Sequence, residues 1–211
     1  MALAVSLAGC ASNRPGTAQR NPGEFDTAKE PPISSNTHFA AGQLAESREQ
    51  YDKAIFQYRA ALQQDQNNCL ALFRLGYLYA RFNQYPQAIE IWKRYVKATG
   101  ESATAYGDLA FCEELAGDSN RAEADYRRGI EKDPKNESCR VNYGLMLARH
   151  NRMNEAVLQL QSVLSPAEVH YNLAGVYRKQ GRNDLAKSEY QEAVDLDPNF
   201  ADAKTRLAEI N

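Results

Sequence analysis

The chain contains no run of 18 apolar residues, so it offers no segment long and apolar enough to cross a membrane as a helix. Neither sign of charge dominates: 25 Lys and Arg stand against 27 Asp and Glu, a formal net charge of -2. That balance argues against nucleic acid as a partner, because neutralising a phosphate backbone takes a basic domain or stripe. Histidine is scarce, three in all, and the four cysteines include no C-x-x-C pair, so the usual zinc and redox motifs are missing. There is no G-x-S-x-G, no Gly-rich phosphate loop and no H-E-x-x-H. No catalytic residue, metal site or cofactor is therefore read from the sequence, and the expectation is that the protein is not an enzyme. Segments with strand periodicity are also lacking. What remains is an ordinary globular balance, 43% hydrophobic and 25% charged.

Against these absences stands a spacing. Asp65, Asp133 and Asp197 each mark a break, in "QQDQNN", "DPKN" and "DPN". Proline removes a backbone donor and disfavours the α conformation in the residue before it, so helices running into Pro134 and Pro198 stop there. Asn67 and Asn68 supply turn and N-cap chemistry at the first break. Asp65 and Asp133 lie 68 residues apart, twice 34, whereas Asp133 and Asp197 lie 64 apart. In frames of 34 counted from Ser35, positions 8, 20, 24 and 27 hold Gly42, Ala54, Tyr58 and Ala61, then Gly76, Ala88, Trp92 and Tyr95. The third frame holds Ala110, Ala122, Tyr126 and Gly129, and the fourth Gly144, Ala156, Leu160 and Val163. Four residues are missing before Ala167, which shortens the fourth unit and explains the 64; the last frame then reads Ala174, Ala186, Tyr190 and Ala193.

Two antiparallel helices approach within about 8–10 Å only where small residues meet, which the Gly and Ala positions provide. Apolar residues recur at three and four residues in "ALFRLGYLYARF" and "AIEIWKRYV", the period of amphipathic helices. Asn83, Gly117, Asn151 and Gly181 all fall at position 15, where a first helix must end and turn. The pattern resembles the tetratricopeptide repeat (TPR) family across residues 35 to 200. The resemblance implies an all-α fold: a right-handed solenoid of about five helix-turn-helix repeats, at about 35–68, 69–102, 103–136, 137–166 and 167–200. Residues 201–211 form the expected capping helix.

The opening "MALAVSLAGCASN" resembles a bacterial lipoprotein signal, with Leu7-Ala8-Gly9-Cys10 as the cleavage box. The resemblance implies a chain cut before Cys10 and lipid-anchored through it, with fatty acyl chains such as palmitate. No positive charge precedes the apolar run, so residues 1–10 are read as a truncated signal whose charged opening lies upstream of Met1. Ala11 rather than Asp after the cysteine implies an outer-membrane location facing the periplasm. Residues 11–34, rich in Pro, Gly, Ser, Thr and Asn, cannot bury enough surface to offset their ordering entropy and read as a flexible tether.

Cys112 and Cys139 fall on neighbouring first helices, which leaves open whether they pair; buried thiols are the plainer reading. His38 and His170 share position 4, a packing position, and His150 ends a first helix, where its cationic form would suit the helix dipole.

In this family the first helices line a concave groove. The resemblance places Phe73, Arg74, Tyr77 and Arg81 there, followed by Asp108 and Phe111. Val141, Asn142, Leu145 and Arg149 come next, then Tyr171, Asn172 and Arg178. Rings would bury partner side chains and Asn would hold a main-chain amide. Exposed Phe73, Tyr77, Phe111 and Tyr171 would be a costly apolar patch without a partner. Phe39 and Gln43 replace the family's Lys and Asn carboxylate clamp, so that specificity is not expected. The expected function is a non-catalytic scaffold binding a peptide or helix of other envelope proteins. The lipobox, the tether and "SPAEVHYNLAGVYRKQGR" together resemble repeat lipoproteins of type IV and tight-adherence pilus assembly. A self-associating homo-oligomer, and a general envelope-maintenance lipoprotein, are the alternatives.

Overall fold

The computed structural model describes residues 33–210, so the expected signal, the Cys10 lipidation site and the tether up to Pro32 lie outside the described residues. Eleven helices and no strand occur among the described residues. They are α1 Ser35–Ser47, α2 Tyr51–Gln64, α3 Cys69–Arg81, α4 Tyr85–Ala98, α5 Ala103–Leu115, α6 Ser119–Lys132, α7 Glu137–Arg149, α8 Met153–Gln161, α9 Pro166–Lys179, α10 Asn183–Leu196 and α11 Ala201–Ala208. Odd-numbered helices α1 to α9 are the first helices of five successive pairs; α11 packs on α10.

Each first helix is started by a side chain. Ser34, Asn68, Ser102, Asn136 and Ser165 accept from the backbone N–H three residues on, satisfying a donor the helix leaves orphaned. Ser165 and Pro166, the last residues of the fourth repeat in the sequence frame, are the N-cap and first turn of α9, closed by a capping box with Glu168. The breaks before α3, α7 and α11 are closed by a similar device one residue shorter: Asp65, Asp133 and Asp197 accept the N–H of Asn67, Lys135 and Asn199 through their side chains.

Position 15 adopts a left-handed backbone in all five repeats, at Glu49, Asn83, Gly117, Asn151 and Gly181. Gly and Asn tolerate that conformation. Glu49, which the sequence did not mark as a breaker, adopts it at φ 58.

The close approach within each pair is set chiefly by position 8 against position 24. A Cβ on Gly42 would lie 2.5 Å from the Tyr58 ring, and one on Gly76 would lie 2.8 Å from the Trp92 indole. Ala110 and Tyr126 are both fully buried in the third repeat, and Ala174 and Tyr190 pack together in the fifth. The helix pairs bury a chain of apolar clusters along the stack. α5 packs directly on α7, and α7 on α9. Close packing of α7 on the third repeat needs small residues, because Cys139 Sγ sits where a Cβ on Gly107 or Gly129 would go.

Candidate partner-binding face

The first helices present two hollows. The first opens between α3 and α5, about 310 Å³ in volume, walled by Phe73, Tyr77 and Arg81 from α3 and by Asp108, Phe111 and Leu115 from α5, with Trp92 of α4 beneath. Phe73, Tyr77 and Phe111 remain 37%, 43% and 44% exposed, a cluster of aromatic surface with no cover from the described chain. Their placement is firm. Trp92 meets Phe73 edge to face at 5.5 Å and Tyr95 at 5.5 Å, locking the ring under the pocket.

Asp108 is the single carboxylate in that wall. Its Oδ2 is buried without a hydrogen-bond partner, and burial pushes its carboxyl up to about 6. At neutral pH the pocket therefore holds a poorly solvated negative charge.

The second hollow, about 590 Å³, lies at the end of the stack. Leu145 and Arg149 of α7, and Tyr171, Asn172, Arg178 and Lys179 of α9, line one side; Tyr190 of α10 and Arg206 of α11 close it. Four of its lining side chains are cationic and none is a carboxylate.

The sequence-expected groove residues thus divide. Phe73, Tyr77, Arg81, Asp108 and Phe111 converge on the first hollow, and Leu145, Arg149, Tyr171, Asn172 and Arg178 on the second. Arg74, Val141 and Asn142 line neither.

Three expectations change. The arginines already have contacts within the chain: Arg74 forms a two-point ion pair with Glu46, at 2.7 and 3.1 Å, which also accepts from the Tyr58 hydroxyl at 2.8 Å. Burial and the Glu46 contact push the Tyr58 phenol up to about 12. Arg149 grips Glu114 through two nitrogens, and Arg178 lies 2.9 Å from Glu209. Arg81 stacks 4.8 Å above the Tyr51 ring. Tyr171 is not part of an exposed patch, because Tyr190 at 5.6 Å and Phe200 at 4.9 Å cover it. Asn172 already spends one donor on the Glu168 carbonyl at 2.8 Å.

Lys179, Tyr190, Arg206 and Leu115 belong to these hollows and escaped the sequence reading. Lys179 occupies position 13, the same position as Arg149, so a signal was present.

The other polar groups serve packing. His38 bonds Gln57 at 2.8 Å, His170 bonds Glu189 at 2.7 Å and His150 lies 3.1 Å from Ser119. Cys69, Cys112 and Cys139 are free; Cys139 donates to the Ala103 carbonyl at 3.1 Å, and burial pushes the Cys112 and Cys139 thiols up to about 11. No cluster of three metal-ligating side chains occurs among the described residues. A larger hollow of about 880 Å³ runs between α2 and α4, but Asp52, Arg59, Glu90 and Arg94 line it with charge of both signs, the makeup of a solvated face.

Tetratricopeptide repeat profiles match residues 35–68, 57–90, 115–168 and 167–200, and with the stack of helix pairs they define the class: the chain belongs to the tetratricopeptide repeat family. It is 26% identical over 132 residues to the general transcriptional corepressor ssn6 of Schizosaccharomyces pombe, covering 60% of this chain and 12% of that protein. The corepressor trfA of Dictyostelium discoideum is 26% identical over 125 residues, covering 58% of this chain and 9% of its own. The chain therefore spans only a small part of these relatives' length. The crystal structure of MamA superposes with a TM-score of 0.63 at 21% identity, over 80% of this chain and 94% of that one. YrrB, described as a TPR protein with an unusual peptide-binding site, superposes with a TM-score of 0.57 at 20% identity, over 82% of this chain and 91% of its own. The shared feature is the fold. TPR proteins are generally non-catalytic scaffolds for protein partners, and this fold supports that role here.

Proposed function

We propose that the protein is a membrane-tethered, non-catalytic adaptor whose first-helix face is a groove for a peptide or helix of an envelope partner. The observation that carries this reading is the α3–α5 hollow, where Phe73, Tyr77 and Phe111 stay exposed while the rings beneath them are locked. An aromatic cluster in a fixed pocket is the makeup of an interface anchor. The lipobox at Cys10 and the polar stretch after it support anchorage at the bacterial outer membrane, facing the periplasm. The likeness of the sequence to repeat lipoproteins of pilus assembly points to a pilus or secretin machine as the setting.

The reading has two tests. Phe111→Glu and Tyr77→Glu, both on exposed positions, should abolish co-purification of an envelope partner while leaving the far-ultraviolet circular dichroism unchanged. Cys10→Ser should release the protein from the membrane fraction and remove incorporation of a palmitate analogue. Unchanged co-purification would remove the groove, and unchanged fractionation would remove the tether.

A second reading, a self-associating oligomer, draws on Phe56, Leu70 and Leu158, each well exposed and outside both hollows. Light scattering over a range of concentrations separates the two, since an adaptor stays monomeric.

A further inference from the structure

We infer that the groove's occupant is an acidic peptide segment, which sets a large apolar side chain in the α3–α5 hollow and Asp or Glu side chains in the α7–α9 hollow. This rests on the groove reading above and assigns the partner's chemistry and direction.

Charge sets the acidic end. Arg149, Arg178, Lys179 and Arg206 line the α7–α9 hollow. Glu114 neutralises Arg149, while the single carboxylate of Glu209 is shared by Arg178 at 2.9 Å and Arg206 at 3.0 Å. Lys179 has no ion-pair partner among the described residues. Four cations against two carboxylates leave the hollow positive. Its floor is apolar and aromatic, from Leu145, Val176, Tyr171 and Tyr190, so a bound carboxylate would be partly shielded from water and its attraction strengthened. The cations are also held in place: Glu209 and Glu114 tie down three of the four, so little side-chain freedom is lost on binding.

The α3–α5 hollow has the opposite preference. Its wall is largely apolar; of its two charged side chains, Arg81 is stacked over the Tyr51 ring and Asp108 has an oxygen buried without a partner. An acidic residue placed beside it would be repelled, whereas an aromatic or large aliphatic side chain fills the space between Phe73, Tyr77, Phe111 and Leu115. The two hollows therefore read one segment in one direction, apolar toward the second and third repeats and acidic toward the cap.

Spacing follows from the packing of α5 on α7 and of α7 on α9. At about 8–10 Å per helix, the two hollows are roughly 16–20 Å apart. An extended chain covers that in about 5–6 residues at roughly 3.3 Å each, and a helix in about 11–13 residues at 1.5 Å each.

The test is selection of random peptides of about 16 residues displayed on phage, long enough for either geometry, against the full chain. Isothermal titration of a recovered peptide against variants follows. Recovered peptides are expected to carry an acidic cluster and an aromatic or large aliphatic residue at one of those spacings. Lys179→Glu, an exposed residue whose change should leave the fold intact, is expected to weaken binding by about tenfold, with Arg178→Gln in the same direction and added salt reproducing the loss. Phe111→Glu is expected to abolish it. If Phe111→Glu abolishes binding but Lys179→Glu and salt leave it unchanged, the acidic partner is wrong and the groove reading stands. If no recovered peptide responds to Phe111→Glu, both are overturned.

Discussion

Gly76→Ala turns the packing rule of the repeat into a signed stability change. At an unconstrained helix position, Ala in place of Gly stabilises by about 0.5–1 kcal/mol through backbone entropy. Here the added Cβ would lie 2.8 Å from one carbon of the Trp92 indole and 3.0 Å from a second, inside van der Waals contact. The indole cannot swing away without breaking edge-to-face contacts with Phe73 and Tyr95, both at 5.5 Å. Overpacking of this kind costs about 1–3 kcal/mol. The net expectation is a loss of about 0.5–2 kcal/mol, opposite in sign to the propensity effect. For a domain of this size that is roughly 2–6 °C in melting temperature. The third and fifth repeats show a compatible pairing, Ala110 with Tyr126 and Ala174 with Tyr190, so Trp92→Tyr combined with Gly76→Ala should cost less than the sum of the two single changes. Urea unfolding followed by circular dichroism provides the assay, with the fluorescence of Trp92, the chain's one tryptophan, reporting the second repeat in the variant that keeps it. A stabilised Gly76→Ala protein with an unchanged urea slope would refute the packing account.

Three further perturbations follow from the structure. Glu113 and Asp125 are 1% and 6% exposed, and burial together with the neighbouring Asp125 carboxylate holds Glu113 above the ordinary carboxylate range. The folded state therefore binds more protons than the unfolded one, and stability should fall as pH rises from about 4.3, the ordinary glutamate value, into the neutral range. Glu113→Gln keeps the shape and removes the titration, so its urea midpoint should change less between acid and neutral pH; an identical slope in both proteins would count against the buried pair. Glu49→Gly relieves a left-handed backbone that costs a side-chain-bearing residue about 1 kcal/mol, so a gain of up to about 1 kcal/mol in urea titrations is expected, and a loss would contradict it. Glu114→Ala leaves the half-buried Arg149 without its carboxylate and should destabilise by about 1–3 kcal/mol; a change near zero would mean that the contact between repeats carries no energy.

The fold was legible because helix-pair packing imposes the same demand every 34 residues. Gly42, Gly76 and Gly144 face a large side chain across the pair, and position 15 needs a left-handed backbone, so both positions recur in the sequence. Glu49 was invisible for the converse reason: its residue type disguises a conformation that the turn imposes. The face was half legible. Phe73, Tyr77 and Phe111, which the family resemblance assigned to the groove, line one hollow. Pairing between repeats was not, because Arg74 with Glu46 and Arg149 with Glu114 join residues 28 and 35 apart, and no local pattern tells a free arginine from a neutralised one. Arg206 went unseen because α11 reads as a solvated cap, yet the packing of α11 on α10 brings Arg206 into the lining of the second hollow with Tyr171 and Tyr190. Tyr171 was read as exposed because Phe200, which covers it, is the last residue of its repeat, far from it in sequence and outside the helix-pair pattern.

The most direct test of the account is site-specific photocrosslinking in living cells from Tyr77 in the first hollow and Asn172 in the second, with exposed Glu192 on α10 as the control. The expected result is one envelope protein captured from Tyr77 and from Asn172 and not from Glu192, with its crosslinked segment apolar at the first site and acidic at the second. Equal capture from all three positions, or capture of this chain alone, would contradict the central claim that the first-helix face is where a partner binds.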